Sequence, residues 1–170
     1  QKAGVAQNVE FHQMSSQDLA RRWDPNRKLR LLWIDGDHTY QGAKTDFDLF
    51  APFLNEGAIV AMHDVLHQHE GPMRVFAEDI LLSQHFGAAG FCGSIGWAQY
   101  LRAPGACRPW LPIKLDHYRR LSRLVRYVGF GQEIKGWRKT CFKLARWRIP
   151  HGELCLSAFV RQVRMSGISA

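Results

Sequence analysis

Two short stretches of this chain end apolar runs in residues able to do chemistry. Leu31-Leu32-Trp33-Ile34 stops at Asp35-Gly36-Asp37-His38, and Ala58-Ile59-Val60-Ala61-Met62 stops at His63-Asp64. Such runs read as strands buried on both faces of a parallel sheet. In open α/β sheets, ligands bind beyond the carboxyl ends of the strands. Asp35 and Asp64, at neighbouring strand tips, can hold a hard divalent cation such as magnesium through oxygen ligands. An ion so held orients a hydroxyl and lowers its pKa. His38, three residues beyond Asp35, is placed to take the proton of that hydroxyl as a neutral imidazole. His63, His67 and His69 are further candidate ligands, although a lone loop histidine is more often simply solvated. Asp37 lies closer to the start of the next helix and suits a capping role better than Asp35 does.

These side chains need a frame. Val9–Gln13 reads as a short strand, and Ser15-Ser16-Gln17-Asp18 as a helix start, with the helix running to about Trp23. Asp24-Pro25-Asn26 breaks it, and Leu29–Ile34 comes next as a buried strand. Over Gln41–Leu54, Ala43, Phe47, Phe50, Ala51 and Leu54 recur at helical spacing, with Lys44, Asp46 and Asp48 between them. Asn55-Glu56-Gly57 closes that helix, Gly57 being suited to a left-handed cap. Ala58–Met62 is the next strand, and His63–Gly71 a polar loop. Pro72 fits the first turn of a helix reaching about Gln84. Phe86–Gly96 is glycine-rich, and Trp97–Leu101 reads as a final strand. The alternation predicts a parallel sheet with right-handed helical crossovers.

The chain has 170 residues, 46% of them hydrophobic, including six Trp and ten Phe. That predicts one domain with a real core and excludes the disordered class. No apolar stretch approaches the roughly 20 residues of a membrane span, and there is no signal-peptide pattern. Cys92, Cys107, Cys141 and Cys155 stand far apart, with no C-x-x-C pair. Free thiols in a reducing compartment are therefore expected, which places the protein in the cytoplasm and argues against structural zinc.

The stretch from Ile34 to Val65, IDGDHTYQGAKTDFDLFAPFLNEGAIVAMHDV, strongly resembles the small-molecule methyltransferases that use S-adenosylmethionine. The most similar group pairs an IDGDH-x-Y strand end with a second strand end in HD. The resemblance spans about Val5 to Leu101 and is specific over Ile34–Val65. It implies an α/β, Rossmann-like sheet with the cofactor across its carboxyl edge. In metal-dependent relatives (catechol, caffeoyl-CoA and macrolide sugar O-methyltransferases) the acid matching Asp35 binds magnesium. The acidic pair ending the next strand adds ligands there, and His63-Asp64 matches it, with His63 departing from the usual acid. Magnesium or another divalent cation is therefore implied at Asp35, His63 and Asp64. In the macrolide enzymes, a histidine matching His38 acts as general base. Met14-Ser15-Ser16-Gln17-Asp18 resembles a segment of the catechol enzymes whose Ser and Gln touch adenine. Ser16 and Gln17, with Asp35 at the cofactor edge, are thus candidate cofactor contacts. The family's glycine-rich first turn and its ribose-binding acid are not in this chain, which begins with Gln1. A fragment of a longer enzyme is expected, carrying the acceptor side and part of the cofactor side.

The charge is uneven. Residues 1–107 hold 9 Lys/Arg and 12 Asp/Glu, whereas residues 108–170 hold 14 and 3. The boundary falls at a Pro- and Gly-rich linker, Ala103–Pro112, giving a partial Rossmann-like domain over 1–103 and a basic helical extension over 104–170. Asp116–Val128 predicts a helix with Tyr118, Leu121, Leu124, Val125 and Val128 on one face. Gln132–Trp147 repeats the design, with Ile134, Trp137, Cys141, Leu144 and Ala145 on its apolar side. The leading reading of these helices is packing on the domain or a homo-oligomer contact, with the arginines solvated. Docking on an anionic membrane surface comes next, because Trp137, Phe142 and Trp147 accompany the cations. Nucleic acid ranks last, for want of a binding motif.

For the whole, the expected function is methyl transfer from S-adenosylmethionine to a hydroxyl of a small molecule, such as a sugar or secondary metabolite. His38 is the expected base, with Asp35 and Asp64 holding a metal or orienting the acceptor. Asp35-Gly36-Asp37 is also a D-x-D, as in metal-dependent glycosyltransferases, which would show strict manganese dependence. A non-catalytic, truncated binding domain is the third class.

Overall fold

A computed structural model describes residues 6–128, 134–152 and 160. Its centre is a four-stranded sheet of β1 (Leu29–Ile34), β2 (Leu54–Met62), β3 (Phe86–Cys92) and β4 (Ile95–Tyr100), in the spatial order β1-β2-β4-β3. Helices α1 (Ser16–Arg22), α2 (Tyr40–Phe50), α3 (Glu70–Val75), α4 (Leu111–Val125) and α5 (Gly136–Trp147) surround it. This mixed α/β arrangement is a partial Rossmann-like fold.

The sheet is not all parallel. β1 and β2 run parallel, but β4 is antiparallel to both β2 and β3. The cause lies in Phe86–Cys92, a fully formed strand rather than a glycine-rich loop. It turns back directly into β4 through Gly93-Ser94, with Gly93 at a φ of 60°. Parallel neighbours need a long crossover, and a two-residue connection forces the antiparallel arrangement.

Other boundaries also shift. Val9–Gln13 forms no strand; Val9 and Phe11 are exposed, and no described strand pairs with them. α2 stops at Phe50, a short 3-10 turn carries Ala51–Phe53, and Leu54 already starts β2. Gly57 is left-handed, as its sequence context predicts, with φ of 75°. It sits inside β2, however, where the pairing with β1 jumps from Leu29–Leu54 to Leu31–Ile59. Glycine absorbs that bulge without a Cβ clash. The helix expected from Pro72 begins at Glu70 and continues as a π-helical segment over Phe76–Leu81.

β1 forms one edge of the sheet, and only one of its faces is buried. Leu32 and Ile34 enter the core, while Leu31 and Trp33 are 58% and 50% exposed. The strand period of two divides these neighbours between the faces. At the opposite edge, the stretch expected to be a linker is a 3-10 segment, Pro104–Trp110, that packs on β3 and buries Cys107 and Trp110.

α4 continues directly from this segment and starts five residues earlier than its pattern predicts. Proline is tolerated in a first turn, so Pro112 does not exclude it. Leu121, Leu124 and Val128 join the main core beside α3, β3 and the π-helical segment, with Tyr118 and Val125 packed against them. Lys114 is buried there, and its Nζ donates to the carbonyls of Ser83 and Phe86, each at 2.5 Å. Burial pushes its pKa down. α5 is held by Phe142, with Ala145 packed alongside; of the apolar side its sequence predicts, Ile134 is buried and Cys141 half-buried. Trp137 and Leu144 point outward. Gln132 and Glu133, the start of that expected helix, lie outside the described residues, as does Cys155. Cys92, Cys107 and Cys141 are free thiols. Among the described residues, no helix is long and apolar enough to cross a membrane.

Candidate functional site

The parallel register of β1 and β2 sets Ile34 opposite Met62, and the backbone N–H of His63 donates to the Ile34 carbonyl at 2.9 Å. The two strand tips are thereby laced together. Asp35 beyond one tip and His63-Asp64 beyond the other must emerge side by side at the carboxyl edge.

Asp64 is the hub of the cluster. Its side chain is only 16% exposed and faces three imidazoles: His38 Nε2 at 3.1 Å from Oδ2, His69 Nε2 at 3.9 Å from Oδ2, and His63 Nδ1 at 3.3 Å from Oδ1. The Asp64 backbone is left-handed, with φ of 57°, the one described non-glycine residue so placed. Aspartate tolerates this conformation better than most residues, but it still costs energy, and such outliers gather at functional sites. The turn after β2 aims the carboxylate back at His38.

A carboxylate only accepts hydrogen bonds, so the contact with His38 requires the proton on Nε2. That leaves Nδ1 as the basic nitrogen of His38. The loop carrying His38 is fixed from below, since the Gly71 N–H donates to the His38 carbonyl at 3.1 Å. A Cβ at Gly71 would collide with the carbonyl oxygens of His38 and Thr39, so only glycine allows this approach. Thr39 caps α2, accepting from the Gly42 N–H at 3.0 Å. Asp37 is therefore not the cap. Its two oxygens accept from the Thr39 backbone N–H at 2.9 Å and from the Thr39 hydroxyl at 2.8 Å. Those bonds hold its carboxyl below the usual range.

His63 lies between two carboxylates. Its Nδ1 is 3.1 Å from Asp35 Oδ1 as well as 3.3 Å from Asp64, and the buried nitrogen makes no aligned hydrogen bond to either. Its Nε2 faces the Ser94 hydroxyl at 3.4 Å. The His69 ring lies against both His38 and His67. Burial pushes its pKa down, with His38 and His67 adding to the effect and Asp64 opposing it. His69 is thus a neutral imidazole at neutral pH.

Two sets of potential ligand atoms lie within 4.8 Å of one another: Asp35, His38 and His63; and His38, Asp64 and His69. Magnesium prefers six oxygen ligands in octahedral geometry. Each set offers one carboxylate and two imidazoles, which does not match it. Such a donor set matches borderline divalent ions that accept nitrogen, such as zinc or iron(II).

Asp35 also faces a second space. A cavity of about 450 Å³ is walled by Trp23, Trp33 and Phe50, with Ser16, Asp35 and Asp46 as polar points. The capping bond from the Asp18 N–H to Ser15 Oγ, at 3.1 Å, starts α1 so that Ser16 lines this cavity. Gln17, the next residue, is exposed and not part of the lining. The aromatic walls were not legible as site residues. Trp33 reads as strand core until alternation turns it outward, where its ring lies 6.2 Å from that of His63. Ser94 carries no sequence signal at all, reaching the site only through the β3–β4 turn.

Residues 1–65 match the family model of a methyltransferase domain. The matched stretch takes in α1, β1, α2 and β2, and therefore both strand tips and the aromatic cavity. The match supports a methyltransferase domain here and methyl transfer in general.

Proposed function

We propose that this domain transfers a methyl group from S-adenosylmethionine to a hydroxyl of a small molecule, at the joint between the aromatic cavity and the Asp–His cluster. One observation carries the reading: Asp35 lines the cavity and also lies 3.1 Å from His63 in the cluster. A cofactor in the cavity and an acceptor over the cluster would therefore meet at one strand tip.

The cavity suits the cofactor. Trp23, Trp33 and Phe50 offer apolar faces for a flat base, Ser16 a hydrogen bond, and Asp35 and Asp46 negative charge for a cation. When bound, S-adenosylmethionine supplies an activated methyl group on a positively charged sulfur. The chain's own residues do the rest. His38 accepts the proton of the acceptor hydroxyl on Nδ1. Asp64 holds the Nε2 proton, fixes the ring and stabilises the imidazolium as it forms, the role an aspartate plays behind a catalytic histidine elsewhere. Holding donor and acceptor at one strand tip makes positioning the main source of acceleration. Asp35, His63 and Asp64 would hold a nitrogen-accepting divalent cation, which would supply Lewis-acid activation of the hydroxyl. A D-x-D glycosyltransferase reading is disfavoured, because residues 1–65, which include Asp35-Gly36-Asp37, match a methyltransferase domain.

The test pairs binding with turnover. Calorimetric titration with S-adenosylmethionine is expected to give unchanged affinity for His38→Ala and weakened affinity for Trp33→Ala. Methyl transfer to a panel of sugar and phenolic hydroxyls is expected to vanish in His38→Ala. Wild-type turnover by that variant would remove His38 as the base.

A further inference from the structure

The outer side of α4 and α5 is used by neither the core nor the cluster. On α5, Trp137, Leu144 and Trp147 are 73%, 58% and 79% exposed. Their spacings of seven and three put them on one helical face. Phe142 is on the opposite face, buried in the core. The exposed stripe is bordered by Lys139, Lys143 and Arg148, all exposed. Two tryptophans and a leucine left in water on one helix mark an interaction surface rather than scattered exposure.

Beside this stripe, between the two helices, lies a cavity of about 330 Å³ lined by Arg119, Arg120, Arg123, Arg148 and a single acid, Asp116. Asp116 already pairs with Arg120 at 2.7 Å, and Arg120 also donates to the Arg148 carbonyl, tying α4 to α5. Arg119, Arg123 and Arg148 have no ion pair among the described residues. Their forked guanidinium groups match the geometry of phosphate oxygens. Arg148 belongs to both features, so the cationic cavity and the apolar stripe form one continuous surface.

We propose that this surface docks the protein on bilayers containing anionic phospholipid. The Trp137–Leu144–Trp147 stripe enters the headgroup–acyl boundary, and the arginine cavity receives lipid phosphate. Aromatic and aliphatic side chains on one face with flanking cations are what interfacial helices require. The charge complement is on the chain, with 14 Lys/Arg against 3 Asp/Glu after residue 107. Single-stranded nucleic acid would use the cations and stack on tryptophan, but it gives no reason for a leucine between the two indoles.

The test is co-sedimentation of the full chain with phosphatidylcholine vesicles, with and without phosphatidylserine. Binding is expected only with phosphatidylserine, to weaken with salt, and to shift tryptophan fluorescence to the blue. Arg119→Gln/Arg123→Gln is expected to lower partitioning by about tenfold or more, since each surface cation contributes severalfold. Trp137→Ser/Leu144→Ser/Trp147→Ser is expected to abolish the blue shift. All five positions are exposed, and melting curves of the variants check that each folds. Equal binding to neutral vesicles, no binding to either, or unchanged binding in both variants overturns the proposal. So does displacement from vesicles by single-stranded DNA at lower concentration than by soluble phosphatidylserine. Inorganic phosphate that stabilises a protein unable to sediment with vesicles identifies a soluble-anion site instead, and overturns it equally.

Discussion

Replacing Asp64 by glycine and, separately, by alanine separates what its backbone costs from what its carboxylate does. Both variants lose the contacts to His38, His63 and His69, so those losses cancel in the comparison. What remains is the left-handed backbone at φ of 57°. A residue with a Cβ spends about 1–2 kcal/mol in this conformation. Glycine escapes that cost but gives the unfolded chain extra freedom, against about 0.4–1 kcal/mol for alanine's restriction. The balance favours Asp64→Gly over Asp64→Ala by about 0.8 kcal/mol, the difference between the midpoints of those two ranges. For a chain of this length, that is about 1–4 °C in melting temperature. Circular dichroism melts of the two variants, side by side, read the difference. Methyl transfer should be lost in both, because neither retains the carboxylate behind His38. An alanine variant melting at or above the glycine variant would show that position 64 is not left-handed in solution, and the account of how the turn aims Asp64 would fall.

The packing makes two further outcomes testable. Gly71→Ala places a methyl group against the His38 and Thr39 carbonyls; displacing that loop should lower turnover by about 10–100-fold with every chemical group intact. Steady-state kinetics beside calorimetry would show kcat falling while cofactor affinity holds. His117 is buried in contact with Phe91, and burial sets its pKa below the usual 6.5, outweighing the opposing Asp116. Because the folded state resists protonation, the unfolded chain binds more protons below about pH 6.5, and stability falls as pH drops through and below that value. Urea titrations at about pH 7.5 and about pH 5 should show a larger loss for the wild type than for His117→Leu. An equal loss in both would exclude His117 as a source of the acid sensitivity.

The strand tips were legible because their chemistry contrasts with their surroundings: Ile34 and Met62 end apolar runs, and Asp35 and His63-Asp64 begin polar ones. α2 was legible through the spacing of Ala43 and Phe47, both of which are buried. The β3–β4 hairpin was not. Gly87-Ala88-Ala89-Gly90 has neither alternation nor β-branched residues, the two features by which strands announce themselves. Its small residues are there for packing. A Cβ on Gly90 would press on the Trp97 indole, and one on Gly96 on the Phe76 ring. Glycine in a strand often marks such a close approach, which only the partner's position reveals. α5 was legible only in part. Of its expected apolar side, Ile134 and Ala145 meet the core beside Phe142, whereas Trp137 and Leu144 stay outside with Trp147. In the site, His69 was legible only as one loop histidine among several; the turn that brings it to Asp64 depends on a backbone conformation with no sequence mark.

β1 places Asp35 at the tip of a strand whose outer edge pairs with no described strand. The backbone groups along that edge, with Leu31 and Trp33 exposed beside them, form a template for strand addition. Any added strand, from this polypeptide or from another, would lie along the segment that supplies both Trp33 and Asp35. Assembly and catalysis would then share one piece of backbone: pairing would stiffen the strand tip and close the side of the aromatic cavity nearest the edge. Loss of pairing would loosen the same residues and expose an edge prone to aggregation. Solubility and activity are thus expected to rise and fall together in variants of β1, even where the substituted side chain touches neither cofactor nor acceptor.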